Sequence, residues 1–184
     1  MKVSDALTAM SSLARSGWML RGVPHQLAES VAQHSFMAAV IAFKVAQYIG
    51  ADPSKAAVIA LFHDIGESSI GDVPKTARQV HEAKALAERL AVAELGSDVE
   101  QLFNEYVEGK TLEAVAAKVG DLASTVLQGC NYLAFGFNVS EIITSSREEL
   151  LRLLDVSGVR DRVMGALEDI GVDLMCDAKG KGRA

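Results

Sequence analysis

The segment AAVIALFHDIGESSIGDVPK, Ala56 to Lys75, puts an ionisable pair, His63 and Asp64, at the end of seven consecutive apolar residues. Glu67 and Asp72 follow at three and eight residues after Asp64. A carboxylate at the end of a buried helix is disfavoured twice. It meets the negative end of the helix macrodipole, and an unpaired buried charge costs several kcal/mol or forces a pKa shift. A divalent metal bound by His63 and Asp64 would supply the missing positive charge. His34, on the apolar stripe of another helix between Val31 and Ala38, is the third candidate ligand. Read alone, it is more often a core histidine satisfied by local partners.

These residues need helices to position them. The spacing predicts a first helix over about Val3 to Ala14, then a loop, SGWMLRGVPHQL, containing glycine and proline. A second helix is expected from the N-cap Ser30 to Ile49, with Val31, Ala38, Ile41, Val45 and Ile49 at helical spacing. Asp52 and Pro53 open a third as cap and first-turn proline, ending near His63. IGESSIGDVPK holds two glycines and a proline and reads as a loop. Further helices are predicted over roughly Lys75 to Glu94, Asp98 to Val107, Leu112 to Ala134, Ser140 to Leu154 and Val159 to Ile170. No alternating strand pattern competes, so the expected class is all-α: a single domain over residues 1–176 and a disordered tail, 177–184.

With 184 residues, 49% hydrophobic and 23% charged, the chain is long enough to bury a proper core and has the composition of a globular protein. Its net charge of −6 argues against a general binder of nucleic-acid polymers or anionic membranes. MKVSDALTAMSS lacks the apolar core of a signal peptide, and the longest apolar run, Phe36 to Phe43, is too short to span a membrane. Cys130 and Cys176 fit a reducing cytoplasm and form no repeated metal-ligand pattern.

ESVAQHS (Glu29 to Ser35), HDIGESSIGD (His63 to Asp72) and VAAKVGDLASTVLQG (Val115 to Gly129), with RSGWMLRGVP before them, resemble the HD-domain metal-dependent phosphohydrolases. Within that superfamily the chain looks most like the small 5′-deoxynucleotidase branch, over about Leu13 to Leu133. The resemblance implies a compact helical bundle with one divalent metal on His34, His63, Asp64 and Asp121. Asp121 is known only through it: periodicity puts this residue off the apolar face of Val115, Val119, Leu122 and Val126, where it reads as solvated. Two imidazoles and two carboxylates suit Mn, Co, Fe or Mg, with Zn possible. His81, the one candidate for a second metal, is expected on the exposed side of a charged helix.

The resemblance also implies that Glu67 and Asp72 orient and deprotonate the attacking water, with Glu67 first and Asp72 second. Phosphate needs cations at the pocket mouth, and Arg15, Arg21 and Lys75 are the candidates. Bacterial deoxynucleotidases carry arginine just before the matching tryptophan, whereas this chain has Gly17 before Trp18, which passes the phosphate role to Arg15 or Arg21. Trp18 could stack on a base or sugar, or plug the core. The expected activity is hydrolysis of (deoxy)nucleoside 5′-monophosphates by a cytoplasmic homodimer. The rivals are a metal-stabilised nucleotide-binding scaffold without turnover and a phosphodiesterase or triphosphate hydrolase using the same metal.

Overall fold

The computed structural model describes residues 1–75 and 77–176, with the side chains of Arg78 and His81 left out. The expected tail and the second-metal reading of His81 therefore lie outside the described residues. Among those residues the fold is all-α, with one isolated bridge between Ala14 and Ser30. Helices run α1 Val3–Ser12, α2 Ser16–Met19, α3 Val31–Ile49, α4 Pro53–Phe62, α5 Glu67–Ile70, α6 His81–Ala93, α7 Ser97–Glu108, α8 Leu112–Ala134, α9 Ser140–Ser157 and α10 Arg160–Asp169. A 3₁₀ turn, Arg78–Val80, precedes α6.

Local chemistry sets the main boundaries. Ser30 and Gln33 form a reciprocal capping box at the start of α3: the Gln33 N–H donates to Ser30 Oγ at 3.2 Å, and the Ser30 N–H to Gln33 Oε1 at 2.7 Å. Gly50, at φ 80°, ends that helix in the left-handed conformation a side chain would resist. Asp52 Oδ1 accepts from the Ser54 and Lys55 N–H groups ahead of α4, and Thr111 caps α8.

Two segments depart from the sequence reading. The expected loop after His63 contains α5, because turns of chain continue past α4: Ile65 N–H donates to Phe62 O and Glu67 N–H to Asp64 O. This keeps Glu67 close above Asp64. The unexpected single-turn α2 is capped from far along the chain, by Asp72 accepting from the Ser16 N–H at 2.5 Å and from its hydroxyl. The helix predicted from Lys75 starts only at His81, after a turn in which the Ala77 N–H donates to Pro74 O.

α3 and α8 form the spine, with α4 against both, α9 on α8 and α10 on α3. Two apolar clusters result. The larger holds Ala38, Val45, Ile59, Val119, Val126, Leu150 and Leu167, and the smaller gathers Ala6, Met10, Val31, Ile65, Val92, Val99 and Phe103. His34 lies between Val31 of one and Ala38 of the other, and His63-Asp64 between Ala60 and Ile65, so the ionisable residues sit at the seam.

Cys130 and Cys176 are joined in a disulfide that ties the segment after α10 to α8. This corrects the expectation of cysteines suited to a reducing cytoplasm and removes cysteine usage as support for that compartment. Forty-six residues separate the two, and only the return of the chain after α10 brings them together.

The spine depends on a missing side chain. A Cβ on Gly120 would lie 2.3 Å from Ala38 O, backbone that cannot step aside without parting α3 from α8. Gly120→Ala should lower the unfolding free energy by about 1–3 kcal/mol, the usual range for overpacking. A denaturant melt with wild-type midpoint would contradict the close helix contact.

Candidate metal centre and phosphate pocket

Each cluster residue arrives by a different local device. His34 is one turn inside α3, and its tautomer is fixed from behind. The Ser124 hydroxyl donates to Asp121 O at 2.8 Å, so its oxygen is left to accept from His34 Nδ1–H at 3.2 Å. Nε2 then carries the lone pair and faces Asp121 Oδ1 at 3.1 Å. His63 closes α4, and its Nδ1–H donates to Ala60 O at 2.6 Å. Its buried Nε2 has no hydrogen-bond partner, although Asp64 Oδ2 is 3.1 Å away. In both imidazoles the outer nitrogen is engaged and the inner one is available, the arrangement a metal-ligating histidine needs.

The inner atoms converge. One ligand atom each from His34, His63 and Asp121 lies within 4.8 Å of the others. Asp64 Oδ2 joins them at 3.8 Å from His34 Nε2, and Asp121 Oδ1 is 3.8 Å from His63 Nε2. Neighbouring ligands about 2.1 Å from one octahedral ion sit about 3 Å apart, so the cluster needs only small adjustment to hold one. The orphaned His63 Nε2 and the mixed nitrogen and oxygen donors suit a divalent transition ion.

Behind Asp121 stands a residue that sequence reading missed. Tyr106, from α7, donates its hydroxyl to Asp121 Oδ2 at 2.7 Å, leaving Oδ1 for the cluster. Glu29, within the quoted motif ESVAQHS, is also buried. Its Oε1 accepts from Trp18 Nε1 at 2.8 Å and lies 4.0 Å from His34 Nδ1. Glu29 was findable as an acid beside an apolar run; Tyr106 had no such signal.

The charges reflect crowding. Burial, aided by the Arg15 charge, pushes His34 down to about 4, so it is neutral at pH 7. Burial also opposes charge on His63, yet Asp64 outweighs it and raises His63 to about 9. Asp64 and Asp121 are held well below the usual carboxylate range by the neighbouring imidazoles against the cost of burial. Burial, then Asp64 and Asp72, raise Glu67 to about 9 despite Lys84. Glu67 is 3% exposed, with Oε1 taking Lys84 Nζ at 3.0 Å and Oε2 left without a partner.

A narrow cavity of about 110 Å³ opens beside the cluster, lined by Arg15, Arg21, Asp72, Lys75, Thr125 and Ser146 among others. It gathers all three predicted cations. Arg15 is the innermost and is partly buried: its Nη1 lies 3.9 Å from Asp64 Oδ2 and has no hydrogen-bond partner among the described residues. Arg21 and Lys75 stand further out, paired with Glu141 and Glu149 of α9. Trp18 is 2% exposed, and its indole packs edge-on against Tyr132. Of its two sequence readings the structure takes core plug, with only a rim of ring at the cavity wall. None of the four cluster residues lines this cavity itself, which meets the cluster through Arg15; a wider groove of about 900 Å³ runs past His25, Glu29, Gln33 and Phe36 and meets it from the other side, through Glu29.

Helices that close two imidazoles and two carboxylates on one point, beside a basic cavity, define a metal-centred α-helical hydrolase fold. The HD domain family model matches residues 9–152. The chain belongs to the HD-domain family of metal-dependent phosphohydrolases. It is 31% identical over 138 residues to the 5'-deoxynucleotidase HDDC2 of Dictyostelium discoideum, covering 67% of this chain and 72% of that one. The human 5'-deoxynucleotidase HDDC2 is 28% identical, over 67% of this chain and 63% of its own length. Among solved structures, a conserved hypothetical protein from Pyrococcus furiosus superposes with TM-score 0.76 at 30% identity, covering 89% of this chain and 96% of that one.

Two outcomes are expected of the centre. Tyr106→Phe should weaken metal affinity about 10–100-fold while the helical signal persists, since partners behind a ligand typically matter to that extent; unchanged affinity in a chelator competition would dismiss the Tyr106 role. Metal must also displace the proton that Asp64 holds on His63. Below the raised value of about 9, affinity should therefore climb with pH, with a slope near one in the logarithm between about pH 6 and 8. A flat profile would mean that His63 is not protonated before the ion binds.

Proposed function

We propose that the protein hydrolyses nucleoside 5′-monophosphates, with deoxyribonucleotides preferred, to nucleoside and phosphate, using one divalent metal held by His34, His63, Asp64 and Asp121. Mn, Co, Fe or Mg fits the donor set, and Zn is accommodated. The observation that carries the phosphate reading is Arg15. Its guanidinium, partly buried, lines the cavity and turns Nη1 towards Asp64 with no hydrogen-bond partner among the described residues, so it joins cluster and cavity and is placed to bind an anion that reaches both. The names of the relatives support the nucleotide class.

Roles follow from placement. Arg15 binds the phosphoryl oxygens, with Arg21 and Lys75 at the mouth and Trp18 bounding the cavity. A bound divalent ion supplies Lewis-acid charge at the phosphoryl group and the attacking water. Glu67 would accept a proton from the attacking water at Oε2, which has no partner among the described residues, while Lys84 holds Oε1 and fixes the carboxylate. Once the charge on Asp64 is neutralised by the ion, burial and Asp72 still oppose ionisation of Glu67, and Lys84 favours it. Asp72, tied to Ser16 and lining the cavity, would orient the ester side as the phosphorus–oxygen bond breaks, and the departing 5′-oxygen takes up one proton, balancing the one the water gave up.

The domain reading over residues 1–176, the cytoplasmic placement and the absence of polymer or membrane partners belong to the same proposal. The net charge and the lack, among the described residues, of a helix long and apolar enough to cross a membrane support the last two. Homodimerisation is supported by an exposed apolar row on α3, Phe36, Val40 and Phe43. The apolar faces of α9 and α10 are spent on the core.

A phosphate-release screen over ribo- and deoxyribonucleoside mono-, di- and triphosphates with several metals should show turnover confined to monophosphates. Glu67→Ala should cut kcat at least a hundredfold, with metal content and oligomeric state intact. Proton transfer of this kind is typically worth about 10²–10⁴ in rate, or about 3–5 kcal/mol of barrier. A metal-loaded Glu67→Ala protein with near-normal kcat would sink the assignment, and a wild type that binds nucleotides without turnover would establish the scaffold reading instead.

A further inference from the structure

We infer that α9 is a charge filter: Glu141 and Glu149 hold the outer cations of the cavity in ion pairs and so bias the site towards ligands with a single phosphoryl group. The inference rests on the phosphomonoesterase reading above and names residues that neither the motifs nor the family resemblance brought forward.

Three cations line or border the cavity, yet they are not equivalent. Arg15 is partly buried beside Asp64, lines the inner end of the cavity and has no carboxylate of α9 on it. Arg21, on the turn after α2, is paired with Glu141 at the start of α9. Lys75, on the loop after α5, is paired with Glu149 two turns along α9, Nζ to Oε2 2.8 Å. One helix therefore places a carboxylate on each outer cation. Glu141 itself lines the cavity, next to Ile142, Ser145 and Ser146. The wall facing the basic side is thus acidic and hydroxylic. Such a wall tolerates a neutral sugar and repels a second phosphate.

The balance of charge gives the direction. A monoester dianion that reaches the cluster meets Arg15 and the metal. A second phosphoryl group would extend outward, where Arg21 and Lys75 are already neutralised and two carboxylates approach it. All four outer side chains are at least a third solvent-exposed, apart from Arg21 just below that. Screened pairs of this kind hold each other weakly, so the filter is a modest bias in selectivity, not a barrier. It should fade as the Debye length shrinks.

Glu141→Gln, Glu149→Gln and the double variant keep side-chain size and leave Arg15, Glu67, Asp72 and the metal ligands untouched. The metal-loaded proteins are assayed with a deoxynucleoside 5′-monophosphate and the corresponding diphosphate. Binding of the non-hydrolysable phosphonate and methylenebisphosphonate analogues is measured alongside by calorimetry. The diphosphate-to-monophosphate ratio, in kcat/KM and in affinity, should rise about threefold in each single variant and about tenfold in the double at low salt, and the gain should shrink at about 1 M salt. An unchanged ratio in the double variant would overturn the filter. So would an equal gain for both ligands, which would reduce the two glutamates to simple competitors for the cations. If the wild type cleaves no monophosphate while the analogue ratio still shifts, the monoesterase reading fails and the filter survives as a property of binding.

Discussion

The structure depends on holding two imidazoles and two carboxylates together, almost out of water, at the seam between two apolar clusters. Without a cation this arrangement is costly, since burial opposes every charge and Asp64 and Asp121 repel each other. The protein meets the cost in part with its own groups: a proton kept on His63 by Asp64, the partly buried guanidinium of Arg15, and donors from Ser124 and Tyr106. These groups also leave one nitrogen or oxygen of each residue facing the same point. The fold is thereby prepared for an ion instead of being assembled by it.

That constraint explains features of the bundle that packing alone would not require. Gly120 lets α8 approach the backbone of α3, which sets Asp121 at hydrogen-bond distance from His34. The turns that continue past α4 keep Glu67 near Asp64, while Gly71 releases the chain so that Asp72 can return to cap α2. That cap in turn fixes the segment bearing Arg15 and Trp18 against the cluster. One long-range interaction therefore joins the loop carrying the acids to the loop carrying the partly buried cation.

Function then divides by depth. The inner groups, His34, His63 and Glu67, which are buried, and Asp121 and Arg15, which are partly so, have their orientations set by neighbours. The outer groups, Arg21, Lys75 and the acids of α9, are solvated and exchangeable. Chemistry that needs fixed geometry belongs to the first set, and selection among charged ligands to the second.

The sequence by itself determined the helices whose signals are local. Ser30 with Gln33, Asp52 with Pro53, and the periodicity of Leu112 to Ala134 are read from residues a few positions apart, and the structure places those helices as expected. The His63-Asp64 pair was legible as well, because a charged pair after seven apolar residues demands an explanation. Tertiary structure decided what depends on distant partners. Asp121 lies off the apolar face of its own helix, and only α3 and Tyr106 of α7 make that direction inward. α2 was invisible because its cap comes from Asp72, and Trp18 became core because Glu29 claims its indole N–H. Cys130 and Cys176 likewise meet only because the chain returns after α10. Capping and periodicity act over one turn and are written in neighbouring letters, whereas the orientation of a buried polar group is set by whichever element folds against it.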